Sequence, residues 1–500
     1  MLEVTVFVSG AVLLALEIIA SRIIAPVFGN SIYVWGSLIG VFLAALAAGY
    51  VAGGRAADRW PSPMVFAGLF VLAGGLVFLI PLAAPGVLSS LSAVQVGARA
   101  GPLAASAALF FLPAAVMGMV SPFAIRLRTR TVATIGNVAG ALYAFSTLGS
   151  IAGTLLASFI LLTLWPVPTI VHALGVALLV SAVLWGLTRR QLLPAGAAAT
   201  VTVLLVGIAG LRAPPGAGEG LQYERDTVYH RITVSDEGGV RFLKLDNYWQ
   251  SALDLSNPRR TVFAYTDYMH LPVILRPDAR RVLMIGLGGA TVPARYYQDY
   301  PQMHLDVAEL DPRVVEVARR YFHAPQGDRL RVTTEDGRLF MTRSADRYDI
   351  ILLDAYLIDS IPFHLATREF FAAARAHLAP GGVLGSNVIG ALAGPRSGLF
   401  RAIYKTVASV FPTVYVFPVD WDRFGSPVAL RNIILVATDQ PPQPRDAVLR
   451  AAARARTNPG VTLPQVEESA RDLYPDPIGT RDVPLLTDDF APVETLLQWR

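Results

Sequence analysis

Residues 281–312 read RVLMIGLGGATVPARYYQDYPQMHLDVAELDP. An apolar run ends in glycines, a helix-forming stretch follows, and a second apolar run ends in acids. This is strand, turn, helix, strand: the unit of a parallel sheet that holds a nucleotide beyond its strand ends. Strand patterns recur downstream in HLDVAEL (304–310), LRVTTED (330–336), YDIILLDAY (348–356) and GGVLGSNVI (381–389). DPRVVEVARRYF (311–322) and ATREFFAAARAHL (366–378) supply helices between them. Alternation of this kind predicts right-handed crossovers and a doubly wound, Rossmann-like α/β domain.

Upstream the chain changes character. Up to Arg212 there are thirteen charged residues, ten Arg with Glu3, Glu17 and Asp58, so this half carries +7. The totals of 42 basic and 37 acidic residues leave 32 against 34 for the rest. The basic balance therefore belongs to the apolar half and gives no support to a nucleic-acid partner. With no Cys, disulfides and thiolate metal sites are excluded. The seven His show no metal-ligand spacing, so no metal is expected.

Apolar runs at 4–27, 32–52, 64–84, 102–124, 135–164, 168–187 and 192–211 are each long enough to cross ~30 Å of hydrocarbon as a helix. They predict a multi-pass α-helical membrane domain of about seven spans. Gly136, Gly140, Gly149 and Gly153 are placed to let helices approach closely. Glu17 stands inside the first run, where a carboxylate is costly and usually faces a bundle interior. Arg55 and Arg59, then Arg126, Arg128 and Arg130, then Arg189 and Arg190 fall in alternate loops, which places the N-terminus in the cytoplasm. Seven spans then leave the remainder outside, against the cytosolic origin of nucleotide-like donors; the expectation kept is a cytoplasmic α/β domain.

RAPPGAGEG (212–220) is a linker by composition. From 228 to 255, VYHRITVSDEGGVRFLKLDNYWQSALDL predicts a small antiparallel sheet turning at Glu237-Gly238-Gly239. The expected domains are thus a helical membrane domain (1–212), a linker and β-sheet (213–275), and an α/β domain (276–500).

Four consecutive strand ends carry chemistry. Gly286, Gly288 and Gly289 close the first, where glycine lets the backbone pass close to a ligand. Glu309 ends the second, 23 residues beyond Gly286, where a carboxylate can accept ribose hydroxyls. Asp336, before Gly337, ends the third and is suited to an adenine amino group; Asp354 ends the fourth. Each acid alone reads more readily as a cap or turn residue; together the four strand ends point to adenosine. The position that should complete G-x-G-x-x-G is Val292, followed by Pro293, so a ligand without pyrophosphate fits better.

With these motifs in hand, VLMIGLGGATVPARYY, VAELDPRVVEVARRYF, RVTTEDGRLF, YDIILLDAY and ATREFFAAARAHLAPGGVL resemble the spermidine synthase family of aminopropyltransferases. FLKLDNYWQSA is similar to that family's substrate-capping sheet. SGAVLLALEIIASRIIAPVFG, GGRAADR and LTDDFAPVE resemble its membrane-fused branch. The resemblance implies transfer of an aminopropyl group from decarboxylated S-adenosylmethionine to putrescine or a related amine. Asp354 then matches the catalytic base and Asp359 a second amine-binding acid. Glu309 matches the ribose ligand, Asp336 the adenine ligand, Gln250 a hairpin glutamine in contact with substrate, and Tyr265 an aromatic wall. A homodimer surrounded by membrane lipid completes the expectation.

Three departures bear on substrate. Gly289 stands where the family has an aspartate that helps bind the donor's propylamine. His230 stands where a glutamine is expected, and the loop after Asp354 is longer, with Tyr356 and Leu357 inside it. These leave open S-adenosylmethionine itself as donor, another acceptor, or lost transferase activity, while Glu17 in its apolar run keeps open a transporter or sensor whose soluble half only binds nucleoside. His172, alone on an apolar segment, reads as core. PRDAVLRAAARAR (444–456) reads as a solvated helix face, and Asp488 and Asp489 are placed to reach the cleft.

Overall fold

The computed structural model describes residues 1–28, 32–93, 97–129, 131–188, 220–227, 229–246, 248–356, 361–456 and 465–496. They fall into two compact units, Met1–Gly218 with Glu224–Arg231, and Glu219–Tyr223 with Ile232–Arg500.

In the first unit, six helical stretches among the described residues are long and apolar enough to cross a membrane. They are Leu2–Ala25, Ile32–Arg59, Pro63–Leu91, Ala100–Arg128, Ile135–Leu161 and Val167–Thr188. These match the first six apolar runs; the seventh, 192–211, lies outside the described residues, as do Arg130, Arg189 and Arg190. The glycines divide by face. A Cβ on Gly149 or Gly153 would lie 2.0 Å from the carbonyl oxygen of Phe7 or Ala11, so only glycine allows that helix pair to close. Gly136 and Gly140 have nothing within 4 Å of that position and pack against no neighbour among the described residues. Glu17 is half-buried, and His172 stacks on Phe78 with ring centroids 4.4 Å apart.

After the helices the chain forms two sheets. β1 (Leu221–Asp226), β2 (Arg231–Glu237), β3 (Val240–Leu245) and β4 (Tyr248–Asp254) lie in sequential order. Gly238 and Gly239, at φ +58° and +80°, make the β2–β3 turn where the Gly-Gly pair predicted it. The larger sheet comprises β5 (Arg281–Ile285), β6 (His304–Glu309), β7 (Leu330–Thr334), β8 (Tyr348–Leu353), β9 (Leu378–Gly390), β10 (Thr413–Pro418) and β11 (Arg431–Thr438). Its order is β10-β11-β9-β8-β5-β6-β7. β7, β6, β5, β8 and β9 are parallel, while β11 and β10 add antiparallel pairs beyond β9. Those last two strands were not among the sequence expectations. β5 runs to β6 and β7 on one side, then the chain returns to lay β8 on the other. The reversal between β5 and β8 is a topological switch point, which opens a crevice at their carboxyl ends.

Candidate active site

The crevice begins at Gly286. Its amide donates to the Ala308 carbonyl at 2.9 Å, its φ is +97°, and a Cβ there would meet the Asp354 carbonyl oxygen at 2.2 Å. Glycine is therefore required both by conformation and by the approach of the β8 end. Glu309, 9% exposed, ties this turn to β6. Its Oε2 accepts from the Leu287 N–H at 2.9 Å and its Oε1 from the Asp311 N–H at 2.9 Å. The residue is thus a brace between the glycine turn and the end of β6, with its carboxylate at the switch point.

Ser251, not singled out from sequence, roofs the turn. Its hydroxyl accepts from the Gly289 N–H at 2.8 Å, and a Cβ on Gly289 would lie 2.7 Å from Ser251 Cβ. A side chain at 289 therefore has no room while β4 stays in place. Gln250, next along β4, has its carbonyl oxygen 4.0 Å from where a Cβ on Gly288 would sit.

Asp354 follows β8 directly and is held from two sides. Asn387 Nδ2 on β9 donates to Oδ1 at 2.9 Å, and the Tyr265 hydroxyl donates to Oδ2 at 3.3 Å. Asn387 Oδ1 in turn accepts from Asn432 Nδ2 on β11 at 3.0 Å. Burial pushes the Asp354 carboxyl up from its ordinary value, and the two hydrogen bonds offset part of that rise. Burial, with the neighbouring Asp354 charge, holds the Tyr265 phenol well above its ordinary value, so it stays a neutral donor. Tyr356 is anchored rather than free: its hydroxyl donates to the Asn387 carbonyl and accepts from the Ile389 N–H, both at 2.9 Å.

Asp336 caps the helix Gly337–Arg343, Oδ1 accepting from the Arg338 and Leu339 N–H groups at 3.0 Å each. Oδ2 lies 2.9 Å from His364 Nε2. That bond, chiefly, holds the Asp336 carboxyl below its ordinary value. The acid at the third strand end is thus a cap with one oxygen turned to a histidine that sequence reasoning did not pick out. Gly337 packs on β5, where a Cβ would meet Ile285 Cγ2 at 2.2 Å. Asp488 takes a bidentate pair from Arg338 (2.8 and 2.6 Å) and the Thr367 hydroxyl (2.7 Å), which hold its carboxyl down to about 2. Asp489 is exposed.

Asp359 and Leu357 lie outside the described residues. His230 belongs to the helical unit; it is buried before β2, and its N–H donates to Thr227 Oγ1 at 3.0 Å. Among the described residues no group of three His, Cys, Asp or Glu could hold a metal ion. The switch point thus gathers Gly286, Gly288, Gly289, Glu309, Tyr265 and Asp354. To these the structure adds Ser251, Asn387, Asn432 and His364. The amides had one signal: a polar side chain within an otherwise apolar strand needs a buried partner.

Residues 262–419 match the Spermine/spermidine synthase domain. The chain is 30% identical over 409 residues to a polyamine aminopropyltransferase of Corynebacterium efficiens, covering 76% of each. It is 28% identical over 305 residues to that of Vibrio vulnificus, covering 59% of this chain and 98% of the relative. A probable spermidine synthase structure from Corynebacterium glutamicum aligns at 22% identity and a TM-score of 0.40, over 54% of this chain and 100% of that one.

Proposed function

The chain belongs to the spermine/spermidine synthase family of polyamine aminopropyltransferases, and from that premise we propose a membrane-bound enzyme moving an aminopropyl group from decarboxylated S-adenosylmethionine to putrescine or a related amine. The observation that carries the reading is Asp354, set at the switch point beside the glycine turn and hydrogen-bonded by Asn387 and Tyr265.

The chemistry is an in-line displacement. The amine nitrogen forms a bond to the methylene beside the sulfonium, and the C–S bond breaks with its electron pair going to sulfur. The product is a lengthened amine and a neutral nucleoside thioether. The attacking nitrogen must be unprotonated, so a nearby base has to remove a proton and hold the resulting ammonium. Asp354 is suited to both. Its raised pKa brings it closer to the pH at which an amine gives up a proton, and ionised it attracts the cation. Glu309, at the end of β6 beside the glycine turn, would orient the ribose, and Asp336 with His364 would face the adenine. The α/β domain is assigned to the cytoplasmic face, where such donors arise.

Gly289 favours a second reading. The family's acid for the donor propylamine is missing there, and the position of Ser251 leaves no room for it. Ordinary S-adenosylmethionine, which carries a carboxylate at that end, is the donor this points to. Calorimetry on the detergent-purified full chain with both compounds decides. Tighter binding of the decarboxylated donor supports aminopropyl transfer; tighter binding of S-adenosylmethionine supports the second reading.

A further inference from the structure

The two amides behind Asp354 have no role in the resemblance, yet they complete a chain of hydrogen bonds that can run in one sense only. An ionised carboxylate accepts and cannot donate, so the Asn387 atom facing Asp354 Oδ1 must be its NH2. Its carbonyl oxygen then faces Asn432, whose facing atom must also be NH2. Asn387, 2% exposed, cannot relax toward water. Sheet register fixes the geometry. Leu353 on β8 pairs with Ser386 on β9, which brings Asp354 level with Asn387. Asn387 pairs with Ile434 and Asn432 with Ile389, so the two amides are diagonal neighbours on one face of an antiparallel pair. A slip of one residue would place them on opposite faces.

We propose that Asn387 and Asn432 are positioning residues: Asn387 occupies Oδ1 of Asp354, Asn432 holds the Asn387 amide in that sense by donating to its carbonyl, and Oδ2 is thereby reserved for the amine. The contact on Oδ2, from Tyr265 at 3.3 Å, is longer than the 2.9 Å bond on Oδ1 and is the one an incoming amine displaces. Tyr265 is a titratable group facing Asp354, with Tyr356 acting on Tyr265 from beyond it, and burial together with the Asp354 charge holds the Tyr265 phenol above its ordinary range. This inference rests on Asp354 being the base.

The test reads the carboxyl itself. Infrared spectra of the detergent-solubilised full chain are titrated with pH, and the Asp354 signal is isolated by subtracting Asp354→Asn. Asn387→Leu removes a hydrogen bond to the charged form and should move the titration up by about one pH unit. Asn432→Leu should move it the same way by less, and should add nothing in the Asn387→Leu background. The acid limb of turnover with decarboxylated S-adenosylmethionine and putrescine should follow these shifts. Should Asn387→Leu not fold, the isosteric Asn387→Asp carries the test, with an upward shift as two carboxyls share a proton. An unmoved titration, or an Asn432→Leu effect undiminished without Asn387, overturns the proposal. Absence of turnover in the parent would count against aminopropyl transfer alone, since the infrared titration still reads the relay.

Discussion

At the scale of single residues, two side chains carry separable parts of the reaction. Asp354→Asn keeps the shape of the site and its room for a donor, yet removes the proton acceptor. Donor affinity should stay near the parent's while turnover falls by about 100-fold or more, the scale of general-base catalysis. Single-turnover kinetics beside calorimetry separates the two; retained turnover with collapsed affinity would reassign Asp354 to binding. Glu309→Gln should do the reverse, weakening donor binding by about 1–3 kcal/mol as charge-assisted bonds lose their charged acceptor. The pH sense follows from burial. The Asp354 carboxyl is raised in the folded chain, so it is protonated over a window in which an ordinary carboxyl is ionised. Turnover should therefore fall as pH drops through a range above that of ordinary carboxylates. By linkage, the folded state binds the proton more tightly than the unfolded one, so this group's contribution to stability is lost as pH rises through the raised value. Asp354→Asn, free of that loss, should melt at a higher temperature than the parent at neutral pH. The acids at the strand ends were legible because their spacing follows from strand and turn lengths. Asn387, Asn432 and Ser251 were not, because each acts through a neighbour distant in sequence.

At the scale of elements, the glycine turn and the hairpin above it constrain one another. Gly286→Ala forces a residue with a side chain to φ +97° and places its Cβ against the Asp354 carbonyl oxygen. Strained backbone alone costs about 1–3 kcal/mol. The thermal midpoint should fall by about 2–4 °C for each kcal/mol lost, and an unchanged midpoint would mean the turn is not built as described. The five parallel strands could be read in the sequence because each is a short apolar run bounded by turn residues. β10 and β11 were missed: TVYVFP and RNIILVAT are short apolar runs, and although β10 follows the helix Gly398–Ala408, it joins the sheet only through antiparallel pairing with β11. That omission hid Asn432, since its place beside Asn387 exists only through the β9–β11 register.

At the scale of the whole molecule, the six described helices were legible because hydrocarbon thickness sets their length. The arginine loops can be tested because the chain has no cysteine. Ser235, in the hairpin, is buried against such a probe, whereas Gln302 and Thr131 are exposed. With Gln302→Cys and Thr131→Cys placed singly, a membrane-impermeant maleimide added to intact cells should label neither. Labelling of Gln302→Cys alone would put the α/β domain outside and favour delivery of nucleoside or amine across the membrane. The central claim is aminopropyl transfer with Asp354 as base, and its most direct test is product analysis. The purified full chain is given decarboxylated S-adenosylmethionine with putrescine, and mass spectrometry follows both products against an Asp354→Asn control. The expected result is putrescine lengthened by one aminopropyl group and an equal amount of nucleoside thioether, with at most about one-hundredth as much of either formed at the control's initial rate. Intact putrescine, or product formed equally well by Asp354→Asn, would contradict it.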